Sequence, residues 1–109
     1  MGSENSGGGF RPDEEEEDFG LSEILPQYFD LCRRDLLHLE AALSENDFEQ
    51  VRVLGHNLKG SGGAYGFPLL TEIGASLETS GKSQDRLLAK SATERLAEFL
   101  NTQQVKDSE

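Results

Sequence analysis

The sequence predicts an all-α fold: an up-down antiparallel four-helix bundle behind a disordered N-terminal tail. Three observations carry this expectation. Apolar residues recur at threes and fours along four successive stretches, the period of a half-buried helix. Short polar or glycine-containing turns separate the stretches, and short connections favour antiparallel neighbours. No segment alternates like a strand bounded by hairpin turns, and no internal repeat is visible.

Residues 1–20 read as a flexible acidic tail or linker. Met1 to Gly9 is rich in Gly, Ser and Asn, and Asp13 to Asp18 is an unbroken acidic run. Such composition cannot bury a core and is usually solvated. The bundle is expected over 21–104, with 105–109 as a C-terminal tail. In the first helix Leu25, Tyr28, Phe29, Cys32, Leu36, Leu39 and Leu43 form one stripe. Ser22 is its expected N-cap, with Pro26 tolerated near the first turn. Ser44 to Asp47 is a turn. Asn46 with Glu49 three residues on reads as a capping box. The second helix buries Val51, Leu54 and Leu58, meets Gly60, Gly62 and Gly63, and should break at Gly66. Pro68 suits the first turn of a third helix, whose stripe is Leu70, Ile73 and Leu77. Gly81 is the expected C-cap and Ser83 the N-cap of a fourth helix. Its inward face is Leu88, Ala92, Leu96 and Phe99.

Composition narrows the function classes. The net charge is −11, and binding to a phosphate backbone needs clustered Lys and Arg, so no nucleic-acid partner is expected. No run of about 18 apolar residues is present, so no membrane span is expected. The N-terminus lacks the basic-then-apolar pattern of a secretory signal. The single Cys32 makes no internal disulfide and no metal-ligand spacing, which fits a reducing, cytoplasmic setting. No metal and no intrinsic cofactor are expected, and the chain reads as a monomer.

The glycines need a reason, because each costs a helix interior about 1 kcal/mol relative to Ala. With His56 at zero on a helical wheel, Leu54, Leu58 and Val51 fall at about 160° to 220°. The imidazole therefore points away from the core. Gly60 and Gly63 lie within about 40° of it, and Arg52, Lys59 and Glu49 within about 60°. An exposed imidazole has a nucleophilic nitrogen able to accept a phosphoryl group. Lys59 supplies positive charge where phosphoryl oxygens would sit. Gly60 and Gly63 would let a partner approach the ring, with Arg52 in its footprint. Ser61 and Gly62 turn inward and would allow close helix packing. Glu49 is better explained as a cap than as a contact.

The stretch His56-Asn57-Leu58-Lys59-Gly60-Ser61-Gly62-Gly63-Ala64-Tyr65-Gly66-Phe67, with Leu70 and Gly74, resembles the histidine phosphotransfer (HPt) domain. The match is dense over about 23 residues, and the helix pattern extends it further. The resemblance implies an up-down bundle that exposes a phosphorylated His on its second helix. It also implies a phosphorelay role, with His56 carrying a phosphoryl group between a kinase or receiver aspartate and another receiver. Magnesium would then belong to the receiver.

The aromatic-Gly-Phe run at 65–67 is also similar to the phosphotransfer domain of chemotaxis histidine kinases. That similarity implies that Glu78 hydrogen-bonds the ring, fixes its tautomer and leaves the other nitrogen as nucleophile. Gly62 departs from a more usual Ala or Ser. No kinase, dimerisation or coupling domain is visible.

The alternative is a helical module that docks a receiver or kinase without turning over phosphate. Arg33 and Arg34 read as a solvated face or as the edge of a partner's footprint, and His38 as structural or inert. Ser76 to Ser83 is one glycine short of a nucleotide-binding loop and follows no strand, so it is rejected.

Overall fold

The computed structural model describes the backbone of residues 13–108 and the side chains of residues 25–103. Four helices follow in order: α1 (Asp13–Ser44), α2 (Phe48–Tyr65), α3 (Pro68–Ser83) and α4 (Arg86–Ser108). No strand occurs among the described residues. The fold is the expected all-α four-helix arrangement.

The chain divides into two units after Leu31. The first holds the opening part of α1, where Tyr28 and Phe29 are buried with ring centroids 5.9 Å apart. The second, Cys32–Glu109, holds the rest of α1 and all of α2, α3 and α4. Its buried side chains are the stripes the sequence marks: Cys32, Leu39 and Leu43; Val51, Leu54 and Leu58; Leu70, Ile73 and Leu77. In α4 the buried positions are Ala89, Ala92, Thr93, Leu96 and Leu100, while Leu88 and Phe99 are half-buried. The inward face is thus centred one residue beyond the expected Leu88–Phe99 line.

Both ends of the helical region extend past expectation. α1 starts at Asp13, so residues 13–20 are helical backbone, while 1–12 lie outside the described residues. Glu propagates helix well, and acidic residues near an N-terminus meet its positive dipole end. Ser22 therefore lies inside α1 instead of capping it, and Pro26 is well inside rather than in the first turn. α4 continues to Ser108, past the expected boundary at 104. The sequence from Asn101 to Ser108 holds no Gly or Pro to stop it.

The caps differ in detail too. Asp47, not Asn46, caps α2: its carboxylate accepts from the Gln50 amide at 3.1 Å. Asn46 instead sits at φ 57° and closes α1. The amide of Asp47 donates to Ala42 and that of Asn46 to Leu43, the paired bonds of a left-handed helix stop. The Asn46 side-chain oxygen accepts from Arg86 at the start of α4. Arg86 also donates to the Leu43 carbonyl, which ties the α1–α2 turn to α4. Gly66 ends α2 at φ 82°, and Pro68 opens α3, both as expected. Gly81, however, is buried inside α3. The helix ends at Gln84 in the left-handed region. Asp85 rather than Ser83 caps α4, accepting from the Leu88 amide at 3.1 Å.

Glycines bring α2 and α3 together. A Cβ on Gly55 would fall within 3 Å of the Leu77–Glu78 backbone and side chain, and one on Gly62 within 3 Å of Leu70 and Thr71. A Cβ on Gly74 would meet the Lys59 backbone, and one on Gly81 that of Arg52. These four contacts define one antiparallel register. It sets Glu78 beside the turn that carries His56 and Lys59.

Candidate functional site

His56 projects from α2 with its side chain 64% exposed. The core stripe on the opposite face of the helix forces this outward direction. Across the glycine-packed crossing, Glu78 of α3 has a side chain only 12% exposed and lies against it. The Glu78 carboxylate is shared. Oε1 pairs with Lys59 Nζ at 2.7 Å. Oε2 lies 3.1 Å from His56 Nδ1 and 3.9 Å from Lys82 Nζ. The hydrogen bond from Lys59 is the main cause holding the Glu78 carboxyl below its ordinary range, with His56 and the Lys82 charge adding to it and partial desolvation opposing.

An ionised carboxylate only accepts hydrogen bonds. The proton between Glu78 and His56 therefore belongs to Nδ1, and in the neutral ring the lone pair is on Nε2. The site presents a tautomer-fixed imidazole with one nitrogen open to electrophiles. Two lysines stand by the carboxylate that fixes it.

Arg52, one turn before His56, is turned toward its own helix. Its Nε donates to Glu49 Oε1 at 3.1 Å, and a second guanidinium nitrogen pairs with Oε2. Glu49 is thus the ion-pair partner of Arg52, where the sequence suggested a capping residue. The Asp47 cap leaves it free to reach Arg52. This pair raises the Arg52 guanidinium and lowers the Glu49 carboxyl from their ordinary values.

The small residues divide into two groups. Gly60 and Gly63 are exposed beside the ring. A Cβ at Gly60 would meet nothing within 4 Å, and one at Gly63 only Thr71 Oγ1 at 3.7 Å. Gly62 is buried against α3, and Gly66 holds the left-handed stop. Ser61 is half-buried, and its Oγ donates to the Leu58 carbonyl at 3.3 Å. Two further residues, Lys82 and Gly55, carry no expectation from the sequence, and Gly81 takes a role other than the expected C-cap. Lys82 joins the carboxylate, and Gly55 and Gly81 set the helix approach. The signals were present: Lys82 is four residues from Glu78, and Gly55–Gly62 and Gly74–Gly81 both repeat at seven.

Among the described residues no group of His, Cys, Asp and Glu could hold a metal ion. Nor is any described helix long and apolar enough to cross a membrane.

The Hpt domain family model matches residues 23–106 of the chain. No curated protein and no solved structure matches it.

Proposed function

The chain belongs to the Hpt domain family, and on that premise we propose that it carries a phosphoryl group on His56 Nε2 between a kinase or receiver aspartate and a second receiver. Membership places it in histidine phosphotransfer within phosphorelays, with kinases and receiver domains as the partner classes. The observation that carries the residue assignment is the 3.1 Å contact of Nδ1 with Glu78 on a ring that is otherwise exposed. With Nδ1 protonated, attack on phosphorus falls to Nε2. Glu78 then stabilises the imidazolium formed as the new bond closes. Lys59 offers charge to the phosphoryl oxygens. Gly60 and Gly63 give the partner room, and Arg52 lies at the edge of the surface it would cover.

The chain acts as substrate and carrier in this reading. The receiver brings the magnesium and most of the catalysis. Glu rather than Gln at 78 and the Tyr65-Gly66-Phe67 run also support a module of the chemotaxis-kinase type. A cytoplasmic setting follows from the partners.

The test is phosphoryl transfer from a phosphorylated receiver or an active kinase. Wild type should acquire acid-labile, alkali-stable phosphate, and His56→Gln should acquire none. Label of the same kind on His56→Gln would overturn the assignment.

A further inference from the structure

The pairing of Lys59 raises a difficulty for the role just proposed, and its resolution rests on that reading. Lys59 is already engaged before a phosphoryl group arrives. Its ammonium is 2.7 Å from Glu78 Oε1, and Glu78 lies against Nδ1. A phosphoryl group on Nε2 leaves from the opposite edge of the ring. Contact of Lys59 with the phosphoryl oxygens therefore competes with its pairing to Oε1. Moving Lys59 outward costs its ion pair with the Glu78 carboxylate, which holds it back from the phosphoryl oxygens.

Lys82 is placed to replace it. It lies on α3, four residues beyond Glu78, with Nζ 3.9 Å from Oε2, the oxygen that already faces the imidazole. Glu before Lys at this spacing is the favourable order on a helix. The Lys82 side chain is 64% exposed and the Lys59 side chain 41% exposed, so both have freedom to move. The other charges nearby are already paired: Arg52 with Glu49 on α2, and Arg95 of α4 with Glu72 rather than Glu78.

We infer that Lys59 and Lys82 exchange partners at Glu78 during phosphorylation. Lys59 leaves the carboxylate for the phosphoryl oxygens, and Lys82 closes on the carboxylate in its place. Lys82 is a positioning residue. It never touches the phosphoryl group, and it acts by releasing Lys59.

The small donor phosphoramidate tests this without any partner protein. The Nε2 lone pair forms the P–N bond as the donor's own P–N bond breaks. The departing nitrogen takes that electron pair and leaves as ammonia. The ring becomes an imidazolium whose Nδ1 proton rests on Glu78.

Loading is followed by 31P NMR in wild type, in Lys59→Gln, in Lys82→Gln, in Lys82→Arg and in the Lys59→Gln/Lys82→Gln double variant. Lys82→Gln should slow loading about fivefold, and Lys82→Arg should stay within about twofold of wild type. In the Lys59→Gln background, Lys82→Gln should add nothing. That coupling separates partner exchange from a general attraction of Lys82 for an anionic donor, which would slow both backgrounds equally. Equal slowing in both, or a wild-type rate in Lys82→Gln, overturns the inference and leaves the role of His56 standing. A wild type that does not load at His56 overturns the phosphoryl-acceptor reading and this inference with it. Lys82 is exposed, and circular dichroism of each variant checks that the fold is intact.

Discussion

At Gly60 the fold makes no demand for glycine, because a Cβ there would meet no atom within 4 Å. The residue nevertheless sits in the interior of α2, one turn after His56. Gly74 presents the reverse case: a Cβ there would press on the Lys59 backbone at distances real side chains do not reach. Composition alone treats the two positions as equal, and only the neighbours separate them. Gly60→Ala should therefore stabilise the protein by about 0.5–1 kcal/mol in urea unfolding, the usual helix gain of Ala over Gly. It should slow phosphoryl transfer from a protein donor while leaving loading by phosphoramidate unchanged, since only the larger donor needs the space. Gly74→Ala should lose about 1–3 kcal/mol by overpacking. A Gly60→Ala variant that is destabilised, or slowed equally toward both donors, would show that the glycine serves the fold or the ring rather than docking.

The helices themselves were legible because their buried stripes follow a period that needs no tertiary knowledge. Val51, Leu54 and Leu58, or Leu70, Ile73 and Leu77, are buried as the 3.6-residue repeat requires. The ends were less legible, for a physical reason. Caps are decided by which polar group finds a better partner elsewhere. Asn46 looked like an N-cap, yet its side chain is engaged by Arg86 from α4 and its backbone takes the left-handed stop of α1. Gly81 looked like a C-cap, yet a glycine is also what close helix packing requires, and the approach of Arg52 uses it for that.

At the site, the outward face of α2 could be read from one helix. Lys82 stands four residues from Glu78 on one helix, but its link to the ring depends on the register between α2 and α3 that brings Glu78 to His56. The N-cap of α4 at the α3–α4 connection can be measured. Asp85→Ala should cost about 1 kcal/mol, the typical loss of an N-cap acceptor, whereas Ser83→Ala should cost only a few tenths. The Ser83 hydroxyl donates back to the Thr79 carbonyl within α3 and serves no amide of α4. Chemical unfolding of the two variants decides it, and equal losses would contradict the cap assignment.

Over the second unit as a whole, the chemistry rests on two helices whose backbones are in near contact. Gly55, Gly62, Gly74 and Gly81 leave no space between α2 and α3 into which either could shift. Close-packed interfaces change between discrete arrangements rather than deforming smoothly, and a switch needs a second arrangement of comparable energy. On the proposed reading, the groups that respond to a phosphoryl group are the side chains of Lys59, Glu78 and Lys82. The chain carries a net charge of −11, so a phosphoryl dianion meets an unfavourable global field. The local cations at the site must offset it. The response should then be confined to that locality. Amide shifts on loading His56 with phosphoramidate are expected at positions 52–63 of α2 and 74–82 of α3. Ala89, Ala92 and Leu96 of α4 should stay unmoved. Heteronuclear NMR of the loaded and unloaded protein measures this directly. Shifts spreading through α4 would mean that phosphorylation reaches the core, and that a partner could read the module's shape as well as its charge.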